Sequence, residues 1–371
     1  MTRLSELAAL FLKLGVTSFG GPAVHIAMME DEVVTRRRWM THQQFLDLIG
    51  ATNLIPGPNS TEMAIHVGFA RRGWPGLLIA GTAFVLPATL IVTALAWVYV
   101  RYGGLPETSG VLYAVKPVVL AVIVQALWRL GRTALTSWSA GLVGALAAVA
   151  AIAGLDEIAI LAGAGVLSVA IGRLSAAGLA VAALPVLQTG AAAGAAAFAP
   201  VGLWPLFAFF AKVGSILFGS GYVLLAFLHR GLVLERGWLT ESQLLDAVAI
   251  GQVTPGPLST TATFVGYLLA GTPGAVAATA GIFLPAFAFV ALSAPLVPRL
   301  RRSRAAAAVL DGVNVASLAL MAVVTVRLAT AAVVDPLTAI LAVISAVALL
   351  RFGVNSAWIV LAAAAVGVAA A

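Results

Sequence analysis

Two short stretches hold the residues best suited to chemistry. Leu54–Ser60 reads LIPGPNS and Val253–Ser259 reads VTPGPLS, each inside an apolar run, 199 residues apart. Proline removes an amide donor and clashes with the preceding helical turn, and glycine permits backbone angles that other residues avoid. Pro56-Gly57-Pro58 and Pro255-Gly256-Pro257 therefore break a helix, and a new helix can start at Ser60-Thr61 or Ser259-Thr260. A helix start exposes free amides and a positive dipole end, which suits an anion. Non-helical backbone at membrane depth persists only where protein buries it or water reaches it. The two breaks are therefore expected to line a polar cavity near the midplane.

The lysines point the same way. The chain has three, and two of them, Lys13 and Lys212, occupy equivalent places beside SFGG and LFGSG in otherwise apolar segments. A lysine at membrane depth pairs or faces a pathway; the plainer reading is snorkelling to the interface. Asn53 and Gln252 are matched amides beside the breaks, able to bind substrate oxygens or to satisfy freed backbone groups. Glu62 follows the first break and can carry protons, but it also fits a capping box with Asn59 as N-cap. Its partner in the second copy is Thr261. Asp47 and Asp246 are matched acids, candidates for proton coupling, with ion pairing to an arginine as the simpler role. His25 and His66 show no metal-ligand pattern and read as hydrogen-bonded structural histidines. Glu30-Asp31-Glu32 before Arg36-Arg37-Arg38 reads as a solvated helix with close-range ion pairs. Lys116 has no repeat match, Asn314 standing at its place, and the matched Arg129 and Arg327 read as helix-end anchors.

The elements that must hold these residues are membrane helices. Hydrophobic residues make up 61% of the chain and charged residues 9%, against about 25% charged in soluble domains. Apolar runs near bilayer length recur throughout. The start, MTRLSELAALFLKLG, lacks a cleavage-site pattern, so the first helix is expected to act as its own insertion signal. Cysteine is absent, which excludes disulfides and thiolate chemistry. The net charge of +7 fits positive-inside loops, and nothing suggests nucleic-acid binding. No cofactor or metal is expected.

The chain is one unit written twice. KLGVTSFGG at Lys13–Gly21 aligns with KVGSILFGS at Lys212–Ser220; Trp39, Thr41 and Asp47 align with Trp238, Thr240 and Asp246. After one lost residue, Pro75, Pro87 and Arg129 align with Pro273, Pro285 and Arg327. The repeats are expected at 1–173 and 202–371, joined by an Ala/Gly-rich linker over 174–201. Each shows six apolar segments, the first at 5–28 and 206–228. Arg71-Arg72 has no charged counterpart, whereas Arg299, Arg301, Arg302 and Arg304 face only Arg101 and Glu107. This bias predicts opposite orientations, the plan of inverted-repeat transporters. The expected fold is an all-α polytopic membrane protein of two inverted repeats. It would have about ten transmembrane helices plus two re-entrant, PGP-broken segments, with both termini outside.

FLKLGVTSFGGPAVHIAMMEDEVV and RRRWMTHQQFLDLIGATNLIPGPNSTEMAIHVGF resemble the chromate ion transporter family, as do FGSGYVLLAFL and GQVTPGPLSTTATFVGYLLAG in the second half. The resemblance covers nearly the whole chain, and the two-domain length resembles the family's long-chain members, whose halves are thought to be oppositely oriented. It implies export of chromate across the inner membrane, driven by proton exchange and conferring chromate resistance. The residues it carries over are Lys13, Phe19, Gly20, Gly21, Pro22, Asn53, Pro56, Gly57, Pro58, Ser60, Thr61 and Glu62 in the first half. In the second they are Lys212, Phe218, Gly219, Gly221, Gln252, Pro255, Gly256, Pro257, Ser259 and Thr260. Ser220 departs from the motif, standing where the first half has Gly21, so the halves need not bind substrate alike.

The implied partners are chromate, sulfate as a competing tetrahedral dianion, protons and the lipid bilayer, with a homodimer as one open assembly. Uptake of sulfate or another small anion, or a passive anion channel, are the alternatives within transport. An intramembrane enzyme acting on lipid or phosphate groups would need a catalytic constellation. The chain shows neither a clustered acid motif in an apolar segment nor a P-loop pattern.

Overall fold

A computed structural model describes residues 3–103, 105–177, 201–218, 221–293 and 304–370. Most of the expected linker, together with Gly219, Ser220, Arg299, Arg301 and Arg302, lies outside the described residues. Among the described residues every regular element is helical. The first half contributes α1 (Leu4–Thr17), α2 (Pro22–Glu30), α3 (His42–Thr52), α4 (Asn59–Tyr102), α5 (Pro106–Ala134), α6 (Trp138–Ile152) and α7 (Glu157–Ala177). The second contributes α8 (Leu203–Ile216), α9 (Leu224–Leu228), α10 (Glu241–Val253), α11 (Thr261–Ser293), α12 (Arg304–Ala332), α13 (Pro336–Arg351) and α14 (Ser356–Ala370). Both α2 and α9 end in a wide π-type turn, at Asp31–Arg36 and His229–Leu234.

Matching sequence makes matching local structure. Both α3 and α10 start on reciprocal capping boxes, Thr41 with Gln44 and Thr240 with Gln243. Each box satisfies two amides that a helix start leaves bare. Helices α4 and α11 each contain a sharp turn, at Arg72-Gly73 and at Ala270-Gly271, where the glycines take φ of 60° and 61°. The half-helix before each turn folds tightly onto the long span after it. A Cβ on Gly76 would stand 2.1 Å from the carbonyl oxygen of Gly68, and one on Gly274 would stand 2.1 Å from that of Gly266. Small residues are what allow membrane helices to approach this closely.

The first apolar segment of each half departs from the sequence expectation. Segment 5–28 is not one crossing. The chain breaks at Ser18–Gly21 and folds back, so that Lys13 on α1 meets Glu32 beyond α2 at 2.7 Å. In the second half Gly231 abuts the ring of Phe209, and the Arg236 guanidinium lies 4.9 Å from the same ring. A hairpin returns the chain to its side of entry. Leu4 therefore lies at the same end as Arg36–Arg38, not opposite to it. Hydropathy reads alike on both sides of such a break and cannot reveal the reversal. The PGP segment behaves as expected: Arg71 donates to the carbonyl of Trp39, so its two ends meet.

The halves are intertwined. α5 packs on α13 and α14 of the second half, and α12 packs on α6 and α7 of the first. α4 and α11 cross at the centre, flanked by α1 and α8 respectively. The main apolar core accordingly draws Val118, Ile123 and Val143 from one half and Phe264, Ala316 and Met321 from the other. Large apolar side chains also cover the outside, Trp138 at 87% exposure among them. Among the described residues four helices are long and apolar enough to cross a bilayer, 59–102, 109–134, 258–293 and 305–332, and six shorter ones are apolar. The chain is a polytopic all-α membrane protein.

Candidate functional site

The breaks of the two halves meet at the centre and are fastened to each other. The amide of Gly57 donates to the carbonyl of Leu217 at 2.6 Å, and that of Gly256 donates to the carbonyl of Ser18 at 2.9 Å. The donors are 199 residues apart, and so are the acceptors. Each bond satisfies backbone groups that the break frees. Both glycines are required by space and by angle. Gly256 has φ +91°, and a Cβ there would stand 2.7 Å from that of Ala88; Gly57 has φ +149°, and a Cβ there would stand 2.3 Å from Glu62 Oε1.

The residues after the breaks are buried. Ser60, Thr61, Glu62, Ser259 and Thr260 are all at most 2% exposed. Thr260 donates back to the Pro257 carbonyl at 2.8 Å, whereas Thr61 Oγ1, Ser259 Oγ and both carboxyl oxygens of Glu62 have no hydrogen-bond partner among the described residues. The capping-box role for Glu62 is not what the structure has. Pro58 is the N-cap of α4, and Asn59 instead donates to Asn53 at 3.2 Å. A buried carboxyl without a partner is costly.

A cavity of about 840 Å³ reaches this centre from one end of the molecule. Gly20, Gly21 and Pro22 of the first break line it, with Asn53 and Asn59 of the PGP segment and Phe218 of the second half. Arg129 of α5 and Asn314 and Ser317 of α12 complete its polar wall, and Asp311 is the acid among its lining residues. No carboxylate lies within 4 Å of Arg129 among the described residues. A guanidinium surrounded by amide and hydroxyl side chains suits a tetrahedral oxyanion.

Of the sequence candidates, Gly20, Gly21 and Asn53 line this cavity. Pro56, Gly57 and Pro58, like Pro255, Gly256 and Pro257, are not among its lining residues and are buried or half-buried, and Gly221 and Gln252 are buried in the second half. The structure does not bring the two lysines together. Lys13 lines a separate wedge of about 550 Å³ between α1 and α2, and its ammonium is held by Glu32. Lys13, with Arg37, keeps the Glu32 carboxyl below its usual range against the opposing effect of burial. Lys212 is exposed on α8, and glycine stands at the repeat position of Glu32. Asp47 is half-buried on α3. Asp246 is buried and pairs with Lys116 at 3.3 Å, not with an arginine. His25 is buried and packs edge-to-face on Phe84.

Sequence reasoning missed Arg129, Asn314, Ser317 and Asn59 as cavity residues. The repeat of Arg129 at Arg327 was visible. Its role depends on α5 leaving its own half to face α12, which no local pattern encodes.

The profile of the chromate transporter family matches residues 5–169 and again residues 204–368. The chain is 35% identical over 367 residues to a chromate transport protein of Cupriavidus metallidurans, covering 94% of this chain and 88% of that protein. It is 33% identical to a probable chromate transport protein of Synechococcus elongatus, covering 85% of this chain and 81% of the relative. A chromate transport protein of Pseudomonas aeruginosa is likewise 33% identical, over 87% of this chain and 80% of its own length. No solved structure matches.

Proposed function

The chain belongs to the chromate transporter family, and we propose that it is a secondary carrier exporting chromate across the inner membrane by exchange for protons. The observation that carries this reading is the cavity running from one end to residues that flank the breaks, Gly21, Asn53, Asn59 and Phe218, with Arg129 and the amides of Asn53, Asn59 and Asn314 on its wall. The dianion enters against Arg129 and moves to the breaks, where the starts of α4 and of the segment after Pro257 offer amides and positive dipole ends. Glu62, buried between the breaks without a partner, is the group that exchanges the proton.

In this reading the repeats are inverted. Two contacts support it. Arg71 bonds to Trp39 at one end, and Arg230 pairs with Glu157 in the α6–α7 region at 3.3 Å. The chain passes through α4, α5 and α6 between these points, so the hairpins of the two halves enter from opposite ends. Arg36–Arg38 then mark the cytoplasmic face, and the cavity mouth, with Ser137 and Ser139 at its rim, opens to the cytoplasm.

The test is chromate flux in proteoliposomes, with and without an imposed pH gradient and with sulfate as competitor. Flux driven by the gradient and slowed by sulfate is the expected result. Flux indifferent to the gradient would make the protein a channel or a proton-independent exchanger, and no flux from folded, oriented protein would remove chromate as cargo.

A further inference from the structure

The two halves match in sequence but not in burial. Asn53 and Asn59 line the open cavity, whereas their equivalents Gln252 and Leu258 are each 8% exposed. Helix α3 packs mainly on α4, while its equivalent α10 is docked onto α5, α12 and α14. Residues that are open to the cavity in the first half thus have packed equivalents in the second.

One repeat-equivalent pair differs in kind. Asn314 lines the open cavity, and its equivalent is Lys116. Lys116 is 17% exposed and faces α10, where it lies 3.3 Å from Asp246 and donates to Ser242 at 2.6 Å. The second carboxyl oxygen of Asp246 accepts from Tyr99 at 2.9 Å. The ammonium, a hydroxyl and a phenol thus converge around a carboxylate at a place where the open half has a cavity.

We propose that Lys116 is the anion-binding residue of a second vestibule, and that Asp246 occupies it in place of a tetrahedral dianion while that vestibule is closed. The inference rests on the carrier reading above. An arriving dianion takes the ammonium from Asp246, α10 is released from α5, and the vestibule opens. When the anion leaves, Asp246 returns and the vestibule closes. Asn314 stands at the repeat position of Lys116, so the second half alone pairs the matched acid with a lysine from this position.

The absence of cysteine makes a direct test available. Gln252→Cys is labelled with a maleimide in the otherwise intact protein, and sulfate and molybdate serve as anion probes because they leave thiols unoxidised. We expect slow labelling, accelerated at least tenfold by adding Asp246→Asn, with either anion then protecting the cysteine. In the Lys116→Asn/Asp246→Asn background labelling stays fast and protection is lost, and Lys116→Arg with Asp246→Asn restores it. Labelling unchanged by Asp246→Asn, or protection that survives removal of Lys116, would overturn the proposal. So would a fast-labelling Asp246→Asn protein that neither anion protects. Flux assays separate the two readings. Chromate flux without anion protection removes the latch alone, while protection without flux removes the carrier and leaves the anion site.

Discussion

The amide of Gly57 donates to the carbonyl of Leu217 at 2.6 Å, so the break of the first half is held by the first break of the second. The reciprocal bond, Gly256 to Ser18, makes the joint two-fold in character. Each bond pairs an amide and a carbonyl freed by the breaks, and in lipid an unsatisfied group costs several kcal/mol.

The first prediction concerns these glycines. Gly256→Ala places a methyl 2.7 Å from the Cβ of Ala88 at a φ of +91°. Overpacking and backbone strain each cost about 1–3 kcal/mol. Gly57→Ala meets the end of the Glu62 side chain, which can shift where backbone cannot. Gly256→Ala should therefore lower the melting temperature in detergent more than Gly57→Ala does. Equal, negligible shifts would contradict the packing described.

Glu62→Gln keeps the shape of the side chain and removes its acid. With the carboxyl fully buried and without a partner, the amide should fold and insert normally. The expected outcome is chromate exchange that persists while its response to a pH gradient disappears. Gradient-driven flux of wild-type size in Glu62→Gln would assign the proton to another group.

Arg129→Gln tests the cavity wall. A hydrogen bond to a charged group contributes about 1.5–3 kcal/mol, which corresponds to roughly a 10- to 100-fold loss of affinity. The loss should appear as a raised KM for chromate with a smaller change in kcat, because Arg129 lies at the entry and not at the breaks. Arg129→Lys should recover part of it. An unchanged KM would return Arg129 to the role of a helix-end anchor.

Much of this was legible in the sequence. The offset that pairs Pro56 with Pro255 also pairs the capping boxes of Thr41 and Thr240, and one residue less pairs the turns at Gly73 and Gly271. These features are local, and local chemistry dictates them. The fold-back at Ser18–Gly21 was not legible, because the run 5–28 is apolar on both sides of it. Nor was the pairing of Lys13 with Glu32 or of Lys116 with Asp246, residues 19 and 130 positions apart. The unequal burial of Asn53 and Gln252 lies furthest from the sequence. It depends on how α3 and α10 pack against the other helices, which no local pattern encodes.

Glu157 gives a pH prediction. Burial pushes its carboxyl up to about 7, although Arg230 at 3.3 Å opposes the shift. A carboxyl whose folded value is raised binds more protons folded than unfolded, so stability falls as pH rises from the usual glutamate range through 7. The effect is of the order of 2 kcal/mol. Melting temperature should drop between pH 5 and pH 8, and Glu157→Gln should flatten that drop and be the more stable form at pH 8. A profile unaltered by the substitution would remove Glu157 as its source.

Orientation is open to labelling without background, since the chain has no cysteine. Arg72→Cys sits beside the Trp39 loop, and Ser137→Cys sits at the cavity rim. Gly237→Cys follows the π-type turn of the second half, whose Arg230 reaches Glu157. Inverted repeats require Arg72→Cys and Ser137→Cys to react from the cytoplasmic side and Gly237→Cys from the opposite side, because repeat-equivalent loops then lie across the membrane from each other. Gly237 has a φ of +59°, so its cysteine variant must first be shown to run as a folded species. Asp156→Cys, next to Glu157, is the companion that does not disturb a left-handed backbone position. Reaction of Gly237→Cys from the same side as Arg72→Cys and Ser137→Cys would make the repeats parallel, and the two vestibules would then open to the same compartment, where alternating exposure of an anion could do no transport.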